Sequence, residues 1–154
     1  MKSAPISHGS FVIERTYATT PAKLYAAWIE PRQKARWFVG PEGWTELRRE
    51  LVVRTGGQEV LHGRFAHGVE TLYTARYHDV IDPERLVYVY DMHLSGIMHS
   101  TSLASVEFVA EGTTARLIYT EQVAFLDGTE GTMARERGTA AHLERLAACV
   151  ETPR

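Results

Sequence analysis

The chain has 154 residues, 44% hydrophobic and 23% charged, with a formal net charge of −2. That size and balance suit one globular domain with its own core, and offer no basic field for nucleic acid. One cysteine, Cys149, allows no internal disulfide, and no apolar run is long enough to cross a bilayer.

Residues 1–10 are polar and lack a signal-peptide core, so the expectation is a soluble cytoplasmic protein. Phe11–Tyr17, rich in β-branched and aromatic residues, predicts the first strand. Thr20-Pro21 opens a helix: the threonine can cap it, and proline at the first helical position loses no useful donor. Leu24, Ala27 and Trp28 give that helix an apolar stripe. Pro31 ends it and starts a second short helix, expected over Arg32–Phe38. Gly40-Pro41-Glu42-Gly43 is a turn.

Six strands are expected next: Trp44–Arg54, Gln58–Phe65, Glu70–Asp79, Arg85–Met92, Ser100–Ala110 and Ala115–Phe125. Gly56-Gly57, Asp82-Pro83-Glu84 and Glu111-Gly112 supply turns between them. About ten residues per strand and turn argues a meandering antiparallel sheet. From Thr132 to Val150, the spacing of Met133, Ala140, Leu143, Leu146, Ala147 and Val150 predicts one helical face. Gly138 interrupts it, which implies either close approach of another backbone or room left for a ligand. The fold class is α+β: one domain over 1–154, core about 11–150, with a curved antiparallel sheet gripping a long C-terminal helix. Two short helices follow the first strand. A gap between such a sheet and its helix is a natural pocket.

These elements resemble the helix-grip superfamily, also called START or polyketide-cyclase-like. Within it, the chain resembles the branch related to the C-terminal domain of the heat-shock-protein ATPase activator. The resemblance rests on Pro21, Ala27-Trp28, Pro31, Trp37, Gly40-Pro41-Glu42-Gly43-Trp44 and Gly56-Gly57. It extends through Asp82-Pro83-Glu84-Arg85-Leu86-Val87-Tyr88 to the late Gly138, about residues 11–150. It implies a container for a small, mostly apolar or amphipathic molecule. Many relatives carry Gly-Trp in the last helix where this chain has Gly138-Thr139, so a ring is missing on the pocket side.

Candidate lining residues are Trp37, Tyr73, Tyr88, Tyr90 and Met92, aromatic and thioether groups that suit either a core or a cavity wall. Of seven histidines none has metal-ligand spacing, and no metal or cofactor is expected; His99, beside Met98, is placed at the pocket mouth. Glu121 shares a strand face with Tyr119 and Val123. A carboxylate there needs a partner, and Arg137, four residues after Met133, is the expected one. Met133 completes the set. Val87 and Val89 make the second face of their strand apolar too, which points to a possible homodimer. No Gly-x-Ser-x-Gly elbow, phosphate loop or dinucleotide fingerprint is present. Three functions fit: a ligand carrier, a cyclase- or hydratase-type enzyme using a pocket carboxylate, and a co-chaperone-like interaction protein.

Overall fold

In the computed structural model, which describes residues 3–151, β1 (Ser7–Tyr17) leads into α1 (Pro21–Ile29) and α2 (Pro31–Lys34). There follow β2 (Trp44–Leu51), β3 (Gln58–Phe65), β4 (Glu70–Ile81), β5 (Arg85–Leu94), β6 (Ile97–Glu111), β7 (Thr114–Phe125) and α3 (Thr132–Val150). The strands form one antiparallel sheet in the order β1-β7-β6-β5-β4-β3-β2. β1 and β2 thus sit at opposite edges, and α1 with α2 spans the sheet between them. Register breaks at Glu46/Arg48, Tyr77/Asp79 and Met92/His93 mark bulges, which bend strands and help curve the sheet.

Period-2 alternation sorts the side chains. Leu86, Tyr88 and Tyr90 of β5 are buried while Val87 and Val89 between them are only partly covered. Ala115, Leu117, Tyr119, Glu121, Val123 and Phe125 of β7 are all buried. Thr20 Oγ1 accepts from the Lys23 amide at 3.2 Å, and α1 buries Leu24, Tyr25, Ala27 and Trp28. Leu143 and Leu146 of α3 are fully enclosed. The Tyr17 hydroxyl donates to the Leu143 carbonyl at 2.9 Å, fastening α3 to β1. A Cβ at Gly9 would lie 1.9 Å from Thr132 Oγ1, so the start of α3 presses on β1 where only glycine fits.

Several boundaries differ from the sequence reading. The domain limits 1–154 extend past the described residues at both ends. β1 begins at Ser7, because Ser7–Ser10 pair with Gln122–Phe125 although they carry little apolar side chain. α2 stops at Lys34 rather than Phe38. Beyond it the Arg36 and Trp37 amides bond to carbonyls three residues back, tightening the last turn. β5 and β6 run past Met92 and Ser100 to a two-residue hairpin, where Ser95 (φ 47) and Gly96 (φ 82) both take left-handed backbone.

Candidate functional site

Between the concave sheet, the α1–α2 segment and α3 lies a cavity of about 420 Å³. All three tryptophans of the chain, Trp28, Trp37 and Trp44, line it. Phe38, Phe65 and Phe125 join them, with Tyr73, Tyr88, Tyr90 and Tyr119 and the thioether of Met92. The rings are fixed rather than loosely packed. Trp37 Nε1 donates to the Ala27 carbonyl at 2.9 Å, and its ring meets Trp28 at 4.7 Å. Trp44 Nε1 donates to Thr71 Oγ1 at 2.9 Å while its indole lies on Gly63, where a Cβ would fall 2.0 Å from the ring. Tyr73 and Tyr90 pack at 4.8 Å.

Glu121 is fully buried. Its Oε1 accepts from the Tyr119 hydroxyl at 2.6 Å. Its Oε2 accepts from Tyr90 at 2.6 Å, Ser102 at 2.7 Å and Arg135 Nη1 at 3.0 Å. Arg135 Nη2 donates to Ser100 Oγ at 2.6 Å, and the guanidinium lies 5.3 Å from the Phe125 ring centre. Burial, and then Glu121, push the Tyr90 hydroxyl well above its ordinary range; burial likewise raises Tyr119. Both remain neutral donors. The four donors on Glu121 leave it a structural anchor for Arg135 rather than an open proton-transfer group.

A second buried pair stands at the other end. Lys34 Nζ meets Glu59 Oε1 at 2.7 Å, and the Tyr77 hydroxyl donates to the same oxygen at 2.8 Å. Burial presses the Lys34 ammonium toward its neutral form, and Glu59 opposes this. The ammonium also sits 4.7 Å from the Phe38 ring.

Two histidines complete the wall. His99 Nδ1 lies 2.6 Å from Asp127 Oδ2. Asp127 Oδ1 in turn accepts from the Thr129 hydroxyl at 2.6 Å and from its amide at 3.2 Å. The Thr129 hydroxyl first, and then His99, hold the Asp127 carboxyl down at about 2, against the effect of burial. His142 Nε2 donates to the Val39 carbonyl at 3.0 Å. Burial, then the Arg145 charge, lower His142 to about 4 despite that bond.

Of the residues singled out from sequence, Trp37, Tyr73, Tyr88, Tyr90, Met92 and His99 line the cavity. Glu121 lies just behind the wall, reached through Tyr90 and Arg135. Met133 and Arg137 are corrections. Met133 is 68% exposed, Arg137 is exposed, and it is Arg135 that meets Glu121. The helical phase explains it: at about 100° per residue, Arg137 lies roughly half a turn from Leu146, while Arg135 lies only about 20° from it. Taking Met133 as an apolar anchor rotated the assigned face. Lys34, Trp28, Trp44, His142 and the Asp127 partner of His99 were missed. Counting back from Leu146 by whole turns would have found Arg135, Thr139 and His142; nothing local pairs Lys34 with Glu59.

A curved antiparallel sheet closed by a C-terminal helix over an aromatic cavity defines a helix-grip protein. The chain belongs to the family described as Activator of Hsp90 ATPase homolog 1-like protein, matched over residues 18–151. It is similar to a solved protein from Rhizobium leguminosarum at 34% identity, covering 97% of this chain and 98% of that one, with a TM-score of 0.91. The Mll3558 protein from Rhizobium loti is similar at 35% identity over 94% and 99% of the two chains, TM-score 0.87. An AHSA1-like protein from Aeromonas hydrophila, 20% identical over 93% and 92%, shares the fold with a TM-score of 0.73. No curated protein sequence matches the chain. Among the described residues no helix is long and apolar enough to cross a membrane.

Proposed function

We propose that this protein binds a small, mostly apolar aromatic molecule in the cavity between sheet and α3. The observation that carries the reading is the ring-lined cavity itself, about 420 Å³ in volume. That lies within the roughly 300–1,000 Å³ of small-molecule sites. The electrostatics favour a neutral ligand. Arg135 is paired with Glu121 and Lys34 with Glu59, so each cationic group at the wall has its own carboxylate. Gly138 and Thr139 line the cavity, and a Cβ at Gly138 would touch nothing. Space is therefore left at the helix.

A carrier is favoured over an enzyme driven by a pocket carboxylate, because both buried glutamates are engaged by cations and hydroxyls. A co-chaperone role has no comparable support in the shape of the interior. Native mass spectrometry of the purified chain and of Thr139→Trp tests the proposal. The wild type should retain a small molecule, or take up 2-methoxynaphthalene supplied in excess, and the variant should do neither. Bare chain mass for the wild type under both conditions would count against it, as would equal uptake by the variant.

A further inference from the structure

The cavity wall has a few polar atoms that the fold leaves unused, and their protonation is determined by their neighbours. Val39 offers His142 a carbonyl, which only accepts, so His142 Nε2 must carry the proton. His142 Nδ1 is then a bare lone pair, and the low value of about 4 keeps the ring neutral. Asp127 is ionised and accepts from Thr129 as well, so His99 Nδ1 carries the proton and, in the neutral ring, Nε2 is the lone pair. Neither free nitrogen has a hydrogen-bond partner among the described residues, and neither is sealed in the core, where only Trp28 Nε1 and His93 Nδ1 are enclosed without one. Both rings, one on the sheet and one on the helix, line the cavity.

Donors stand there too. Arg135 commits Nη1 and Nη2 to Tyr90, Ser102, Glu121 and Ser100, while its Nε–H makes no hydrogen bond among the described residues. Arg135 and His99 flank the same ring, each 5.3 Å from the centre of Phe125. A group satisfying both must donate to a histidine lone pair and accept from an N–H. A hydroxyl does both; an ether, ketone or carboxylate cannot donate.

Building on the proposed cavity function, we propose that the ligand is a neutral hydroxylated aromatic, its hydroxyl donating to Nε2 of the Asp127-oriented His99 and accepting from the Nε–H of Arg135. The apolar rings supply affinity for any flat aromatic; the His99 lone pair supplies the preference for a hydroxyl. A site built to bond a hydroxyl discriminates against an analogue lacking the donor, because its own buried polar atom is left unpaired.

Three probes separate the possibilities, read by quenching of tryptophan fluorescence: 2-naphthol, 2-methoxynaphthalene, which keeps the oxygen but not the donor, and 2-naphthoate. The wild type should bind 2-naphthol at least about tenfold more tightly than the methyl ether, one hydrogen bond's worth. In His99→Phe that ratio should fall below about threefold while the ether binds as before. Asp127→Asn, which no longer fixes the proton on Nδ1, should also lower the ratio, a change that a merely structural Asp127 would not produce. Should either variant fail to fold, as judged by circular dichroism, His99→Leu carries the same expectation. Equal affinity for naphthol and ether in the wild type would overturn the hydroxyl preference and leave the cavity function standing. So would tighter binding of 2-naphthoate, which would mark an anion site at Arg135. A ratio unchanged in every folded variant would remove His99 from the role. No binding of any probe would overturn the cavity function and this inference together.

Discussion

Arg135→Met tests the polar anchor of the cavity. Methionine keeps an apolar stem against Tyr90 and Phe125 but removes the cation from Glu121, a fully buried carboxylate. Breaking a buried ion pair from one side costs about 3–5 kcal/mol. Three hydroxyl donors, Tyr119, Tyr90 and Ser102, stay on Glu121 at 2.6, 2.6 and 2.7 Å and take up part of that cost. The expected loss is therefore about 2–4 kcal/mol, a large share of the roughly 5–15 kcal/mol by which a domain is stable. Urea melts read it directly. Glu121→Gln in the same background removes the stranded charge, so the double variant should be more stable than the sum of the singles by about 1–3 kcal/mol. Arg137→Met, at the exposed position, should change stability by less than about 0.5 kcal/mol. A cost below about 0.5 kcal/mol for Arg135→Met, or strict additivity, would show that Glu121 does not depend on this arginine.

Gly138→Ala should stabilise α3 by up to about 1 kcal/mol in thermal melts, since a Cβ there meets nothing; a loss would reveal a backbone contact at that point. Leu146→Ala should cost about 2–5 kcal/mol, and a cost under about 1 kcal/mol would place the wrong face of α3 inward. His142 has a folded value of about 4 against an ordinary 6.5, so between these the unfolded chain binds a proton that the folded chain refuses. Stability should then fall as pH drops through that window, by up to roughly 3 kcal/mol. His142→Gln should lose less than the wild type between about pH 7 and about pH 4.5, and parallel losses would refute the assignment.

The fold was legible because local signals agreed with the global arrangement. Thr20-Pro21 caps α1 as expected, Gly56 takes left-handed backbone (φ 84), and the alternation in β5 and β7 sorts their faces. Strand ends were less legible, since Ser7–Ser10 join the sheet through backbone pairing alone. In the site, the aromatic wall could be read strand by strand. The partner of Glu121 could not, because two arginines two residues apart differ only in helical phase, and a single exposed Met133 was enough to misplace it. Lys34–Glu59 joins residues 25 positions apart, from α2 to β3, a pairing that no sequence period encodes.

The most direct test of the cavity as the functional site uses the three tryptophans that line it. In a ¹⁵N–¹H spectrum each indole Nε1–H gives one signal: Trp37 bonded to Ala27, Trp44 bonded to Thr71, and Trp28 without a hydrogen-bond partner among the described residues. Titration with 2-naphthol should shift all three signals saturably and together, with accompanying shifts of the Thr139 and His142 amides on α3. Indole signals that stay fixed while amides of the outer face, such as Val89 and Leu103, move would contradict a ligand site between sheet and helix.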